Sequence, residues 1–163
     1  MGKKFLRLTK KEKDALSAQL AWFKGRKLNY MRRAFGWQYF YFGDLAPTRP
    51  GGRRRAASLS VECDWSIMKG CEFNLNSGDF GPFSARRDNH AKWFYALMNE
   101  GILVEGVSVL ENGNFSFRLA GGFVLDVLPG TTPAGSCDPD MVYIYGDPYV
   151  IVITTEGLRK KNM

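Results

Sequence analysis

A chain of 163 residues is long enough to bury a continuous core without disulfide staples, and three cysteines beside a single histidine, His90, leave a zinc site short of ligands. The net charge of +7 comes wholly from the first half: residues 1–83 hold 16 Lys/Arg against 7 Asp/Glu, whereas residues 84–163 hold 7 against 9. The basic N-terminus lacks the apolar run of a signal peptide, "MGKKFL" lacks the small hydroxyl residue of a myristoylation site, and no stretch has the length of a membrane-spanning helix; the sequence reads as a reduced cytoplasmic protein without membrane contact.

The first predicted element is a helix. Thr9 and Glu12 form a capping box, Ala15, Leu16, Leu20 and Phe23 give an apolar stripe, and Gly25 stops it. "KLNYMRRAF" and "QYFYF" follow as a hairpin that carries aromatic rings on both faces, then the polar loop "GDLAPTRPGGRRRAA". In "SVECDWSI", Val61, Cys63, Trp65 and Ile67 alternate with Ser60, Glu62, Asp64 and Ser66, the period of a half-buried strand. The strand "CEFNLN" ends the first half, with Cys63 and Cys71 both at inward positions.

A second helix starts with Asp88 as cap, buries Ala91, Phe94, Leu97 and Met98, and ends at Gly101. "ILVEGVSVL" and "NFSFRL" are joined by the Asn112-Gly113 hairpin signal, the turn at Ala120, Gly121 and Gly122 leads to "FVLDVL", and "MVYIY" and "YVIVIT" follow the loop "PGTTPAGSCDPD". The two terminating glycines are 76 residues apart. At the same offset Leu28 matches Val104, Tyr39 matches Phe115, Tyr41 matches Phe117, Gly70 matches Gly146, Phe73 matches Tyr149 and Leu75 matches Ile151. The predicted fold is α+β: mainly antiparallel sheet with two packed helices in one domain over 1–163, internally duplicated as halves 9–83 and 84–157.

The "LxVxCxWxI" strand of residues 59–67, the aromatic hairpin, the long polar loop and "NGNFSFRLAGGFVLDVLP" resemble a family of small uncharacterised bacterial cytoplasmic proteins. The likeness spans most of the chain, and its motifs are structural. Ser66 stands where an arginine often follows the tryptophan in that pattern. Proteins of this size and β-rich build are also similar to immunity proteins that neutralise toxins, which implies a protein partner.

Catalysis finds little to work with. His90 falls in the first turn of the second helix, Glu62 and Asp64 would sit about 7 Å apart on an outer strand face, and Asp138, Asp140 and Asp147 lie in Asp-Pro turn sequences or beside them. No Walker lysine follows either glycine-rich stretch. The sequence therefore predicts a non-catalytic chain with no metal or cofactor. Its unusual surface is basic: Arg49, Arg53, Arg54 and Arg55 share one loop, and Arg32, Arg33 and Trp37 stand in the neighbouring hairpin. Arginine forks recognise carboxylates and phosphates, and rings supply anchors for proteins or platforms for bases. A protein-binding module of the immunity kind is the leading expectation, and single-stranded nucleic acid is the alternative partner.

Overall fold

Thr9 starts the chain's first helix as its spacing from Glu12 demands. Its hydroxyl accepts from the Glu12 N–H at 3.1 Å, and the Glu12 carboxylate accepts from the Thr9 N–H at 3.0 Å. The computed structural model describes residues 5–34, 36–43, 57–77, 86–131, 140–146 and 149–162. Helix α1 (Lys10–Ala21) buries Leu16 and Leu20, with Phe23 just past its end, while Ala15 points outward; Gly25 follows at φ 86°. Helix α2 (Arg86–Met98) buries Phe94 and Met98 before Gly101 at φ 82°, where a side chain is strained. Asp88 does not cap it. Arg86 and Arg87 are themselves good helix formers, so the helix begins two residues before the aspartate, which falls within its first turn.

Eleven strands form one antiparallel sheet among the described residues: β1 (Lys27–Ala34), β2 (Trp37–Phe42), β3 (Ala57–Val61), β4 (Trp65–Lys69), β5 (Phe73–Asn76), β6 (Ile102–Val109), β7 (Phe115–Leu119), β8 (Phe123–Val127), β9 (Asp140–Tyr145), β10 (Tyr149–Thr154) and β11 (Gly157–Asn162). Their order is β11-β10-β9-β3-β2-β1-β6-β7-β8-β4-β5. The α+β class stands as predicted. The stretch "SVECDWSI" is not one strand, however. It breaks between β3 and β4, which pair with different neighbours, β2 and β9 for the first and β8 and β5 for the second. Cys63 is buried at that corner, but Cys71 is exposed, because it lies in the tight β4–β5 turn that the Glu72 N–H closes onto the Lys69 carbonyl. Strand β11 escaped the sequence reading because its run of cations hides the alternation of an edge strand.

The sheet is folded on itself. Strands β2 and β4 are five spacings apart, about 24 Å on the flat, yet the Phe40 and Trp65 ring centroids lie 5.2 Å apart. Phe42 and Phe117, three spacings apart, are at 5.3 Å. The fold line is the short β1–β6 pairing, where Lys27 faces Leu103 and Leu28 faces Ile102. It separates a first wing, β11 to β1 in the sheet order, from a second wing, β6 to β5. The wings close over one apolar core, into which α1 sends Phe23 against Phe42 and Phe117, and α2 sends Phe94 against Phe73 and Phe123.

Each helix leads into three antiparallel strands, and each first hairpin has an irregularity at the same place, between Leu28 and Tyr30 and between Val104 and Gly106. The constant offset of 76 does not survive. Phe40 and Phe117 occupy corresponding rungs, so β7 is displaced by 77 from β2, and the matches of Tyr39 with Phe115 and Tyr41 with Phe117 pair half-exposed residues with buried ones. One more residue in the second hairpin accounts for it. Nor do residues 9–83 and 84–157 stand apart as sheets: β9 and β10 of the second half join β3, and β4 and β5 of the first join β8.

Candidate protein-binding face

Strand β2 alternates without a break: Gln38, Phe40 and Phe42 are buried, while Trp37, Tyr39 and Tyr41 are half-buried on the open face. The aromatic residues on both sides of this hairpin therefore have different tasks. Phenylalanines fill the core and tyrosines face out, as a phenol demands, with its ring on apolar neighbours and its hydroxyl towards water. Ladder register carries the open face across four strands. Tyr30 and Arg32 of β1 stand opposite Tyr41 and Tyr39; Ser58 and Ser60 of β3 stand opposite the same tyrosines; and Tyr145 and Tyr143 of β9 oppose those serines.

The rings touch one another. Tyr30 and Tyr41 are 5.5 Å apart, Trp37 and Tyr143 5.6 Å, and the i, i+2 neighbours Tyr39–Tyr41 and Tyr143–Tyr145 stack at 6.5 and 6.2 Å. Tyr95 of α2 extends the group beside Tyr30; burial raises its pKa, helped by Tyr30. Burial likewise raises that of Tyr145, opposed by a hydrogen bond with the Ser60 hydroxyl. At the far side the Tyr143 hydroxyl donates to Asp140 at 2.6 Å, the Arg159 guanidinium donates to the other oxygen of that carboxylate at 2.6 Å, and the Lys161 ammonium lies 5.6 Å from the Tyr143 ring centroid.

The second wing supplies an internal comparison. Its strands β6-β7-β8-β4 repeat the pairing order of β1-β2-β3-β9, so each open-face position has a counterpart. Opposite Tyr30, Arg32, Tyr39 and Tyr41 of the first wing, the second has Gly106, Ser108, Ser116 and Arg118; in place of Tyr143 and Tyr145 it has Ser66 and Met68. Glycine, serine, arginine and methionine therefore serve the same sheet positions. The fold does not require the tyrosines.

Of the residues singled out from sequence, Arg32 and Trp37 lie on this open face. Arg33 does not: it pairs with Gln38, one position out of phase, and alternation turns it to the other side of the sheet. Arg49, Arg53, Arg54 and Arg55 lie outside the described residues. Sequence reasoning missed Tyr143, Tyr145, Arg159 and Lys161 as partners of the hairpin, although the alternation in "MVYIY" already put both tyrosines on one face.

Among the described residues the carboxylates do not assemble into a reactive site. Asp64 is exposed at the corner after β3 and accepts from the Ser77 hydroxyl at 3.3 Å, Glu62 is half-buried beside it, and Asp140 is engaged as above. Asp138 and Asp147 lie outside the described residues, and His90 falls inside α2, beyond its first turn. Among the described residues no group of three or more His, Cys, Asp or Glu is placed to hold a metal ion. A hollow of about 700 Å³ between the N-terminal segment and the turn after β6, lined by Phe5, Arg7, Lys13, Leu110 and Glu111 among others, has no hydroxyl, thiol or imidazole among its described lining. No described helix is long and apolar enough to cross a membrane. Comparisons with protein-family models, curated proteins and solved structures find no match to this chain.

Proposed function

We propose that this chain is a non-catalytic interaction module that binds another protein through the open face of its first wing. The observation that carries the reading is the contrast between the wings. Matching positions hold Tyr30, Tyr39, Tyr41, Tyr143 and Tyr145 on one and Gly106, Ser116, Arg118, Ser66 and Met68 on the other, so at these positions tyrosine, a residue that anchors protein interfaces, is confined to the first wing. Tyrosine with serine also supplies contact area and adaptable hydrogen bonds at low entropic cost. Immunity-type binding of a toxin is one form this activity takes.

Ring packing favours protein over single-stranded nucleic acid. A base stacks on a ring face turned to solvent. Here Tyr39 and Tyr41, and Tyr143 and Tyr145, are stacked on each other, so their edges and hydroxyls are what a partner meets. The test is a photo-crosslinking side chain placed at Tyr39 or, as control, at its counterpart Ser116. The Tyr39 variant is expected to yield a discrete adduct that protease destroys and nuclease does not, and the Ser116 variant none. Equal yields at both positions, or none at either, would overturn the proposal, and a nuclease-sensitive adduct would transfer the face to nucleic acid.

A further inference from the structure

We infer that the protein bound at this face presents a carboxylate-rich surface; the inference rests on the reading just given. The face is bounded by cations on both sides. Arg32 stands exposed on β1, and five strand spacings away, about 24 Å in a flat sheet, Lys161 of β11 lies on the same side as Tyr145, because both pair with Val150. Asp140, a carboxylate on this stretch, already receives the Arg159 guanidinium and the Tyr143 hydroxyl at 2.6 Å each, so it is not available to balance a cationic partner.

Between the cations stand phenol hydroxyls, which are hydrogen-bond donors. Carboxylates accept from phenols and from guanidinium and ammonium groups alike, whereas a basic partner would bring like charges against Arg32 and Lys161. Among the described residues of the second wing, Arg118 is accompanied by Asp126 on the same face.

The experiment uses the full chain labelled with 3-fluorotyrosine and titrated with decaglutamate and with an oligothymidylate, read by fluorine NMR. Decaglutamate is expected to shift the resonances of the face tyrosines saturably, with affinity falling roughly tenfold between about 20 and 200 mM salt. The double variant Arg32→Ser, Lys161→Ser is expected to lose roughly tenfold in that affinity, and Arg118→Ser on the second wing none. Absence of shifts at low salt, or equal losses in both variants, would overturn the inference. Should the oligothymidylate bind more tightly than decaglutamate, with ring-current shifts from stacked bases, both the inference and the protein-binding reading fall. A protein adduct at Tyr39 without decaglutamate binding would remove the acidic partner alone and leave that reading standing.

Discussion

The Tyr143 hydroxyl illustrates how one contact sets a residue's chemistry. Its hydrogen bond to Asp140, with burial and that carboxylate's charge adding to the effect and Arg159 opposing it, pushes the phenol from 10.0 up to about 12. Below about pH 10 the folded and unfolded chains both hold this proton, and the full contribution to stability is present. Between about 10 and 12 the unfolded chain releases it while the folded chain keeps it, so stability falls as pH rises through that window. Absorbance titration of tyrosinate is expected to show one phenol ionising near 12, and Asp140→Asn is expected to return it towards the ordinary range. Wild-type protein whose every tyrosine ionises near 10 would contradict the contact. The residue types on this face were readable in advance, and Arg32 and Trp37 were singled out from the hairpin alone. The Tyr143–Asp140–Arg159 cluster was not. Asp140 read as part of a turn, and Arg159 meets it only because β10 lies between β9 and β11.

At the scale of an element, Glu12 joins a helix start to the last hairpin. One carboxylate oxygen closes the capping box with Thr9, and the other accepts from the Leu158 N–H of β11 at 2.8 Å. Burial by itself would raise the Glu12 pKa, but the N–H groups of Thr9 and Leu158 and the Thr9 hydroxyl outweigh it, and the value is lowered. Glu12→Gln keeps one acceptor and replaces the other with a donor, so a loss of about 1–2 kcal/mol is expected in urea unfolding at neutral pH. A lowered carboxylate pKa contributes stability above the unfolded value of 4.5 and loses it as pH falls through the folded one. The difference between wild type and variant is therefore expected to shrink in acid, and a constant difference would contradict the role of the charge. The box itself was legible because its residues lie within one turn. The corner between β3 and β4 was not, because Val61, Cys63 and Trp65 all face the same core on either side of the break, so the alternation of two runs straight through it.

For the whole molecule, the shared core predicts a single unfolding transition. Trp65 of β4 is 2% exposed and packs edge-on against Phe40 of β2, across the two wings. Trp65→Ala is expected to cost about 3–5 kcal/mol, since it opens a cavity that two sheet layers cannot both close. Because β9 and β10 complete the first wing and β4 and β5 the second, loosening one wing removes strands that the other half of the chain supplies. Hydrogen exchange in β2 and in β8 is expected to accelerate together in this variant. Loss of protection in one wing alone would show two independent cores.

The sequence by itself determined the elements whose causes are local. Thr9 with Glu12 set one helix start, Gly25 and Gly101 set two stops, Asn112 and Gly113 set a hairpin, and alternation assigned Phe40 and Phe42 to one side and Tyr39 and Tyr41 to the other. Only the tertiary structure decided which strands are neighbours. Ser60 meets Tyr143, and with that meeting two separate tyrosine pairs become one face bounded by Arg32 and Lys161. The physical reason is that a hydrophobic period fixes which side of a strand is buried but not against what. Pairing between distant strands follows from how two apolar faces close over a common core, a property of the whole chain that no local window contains.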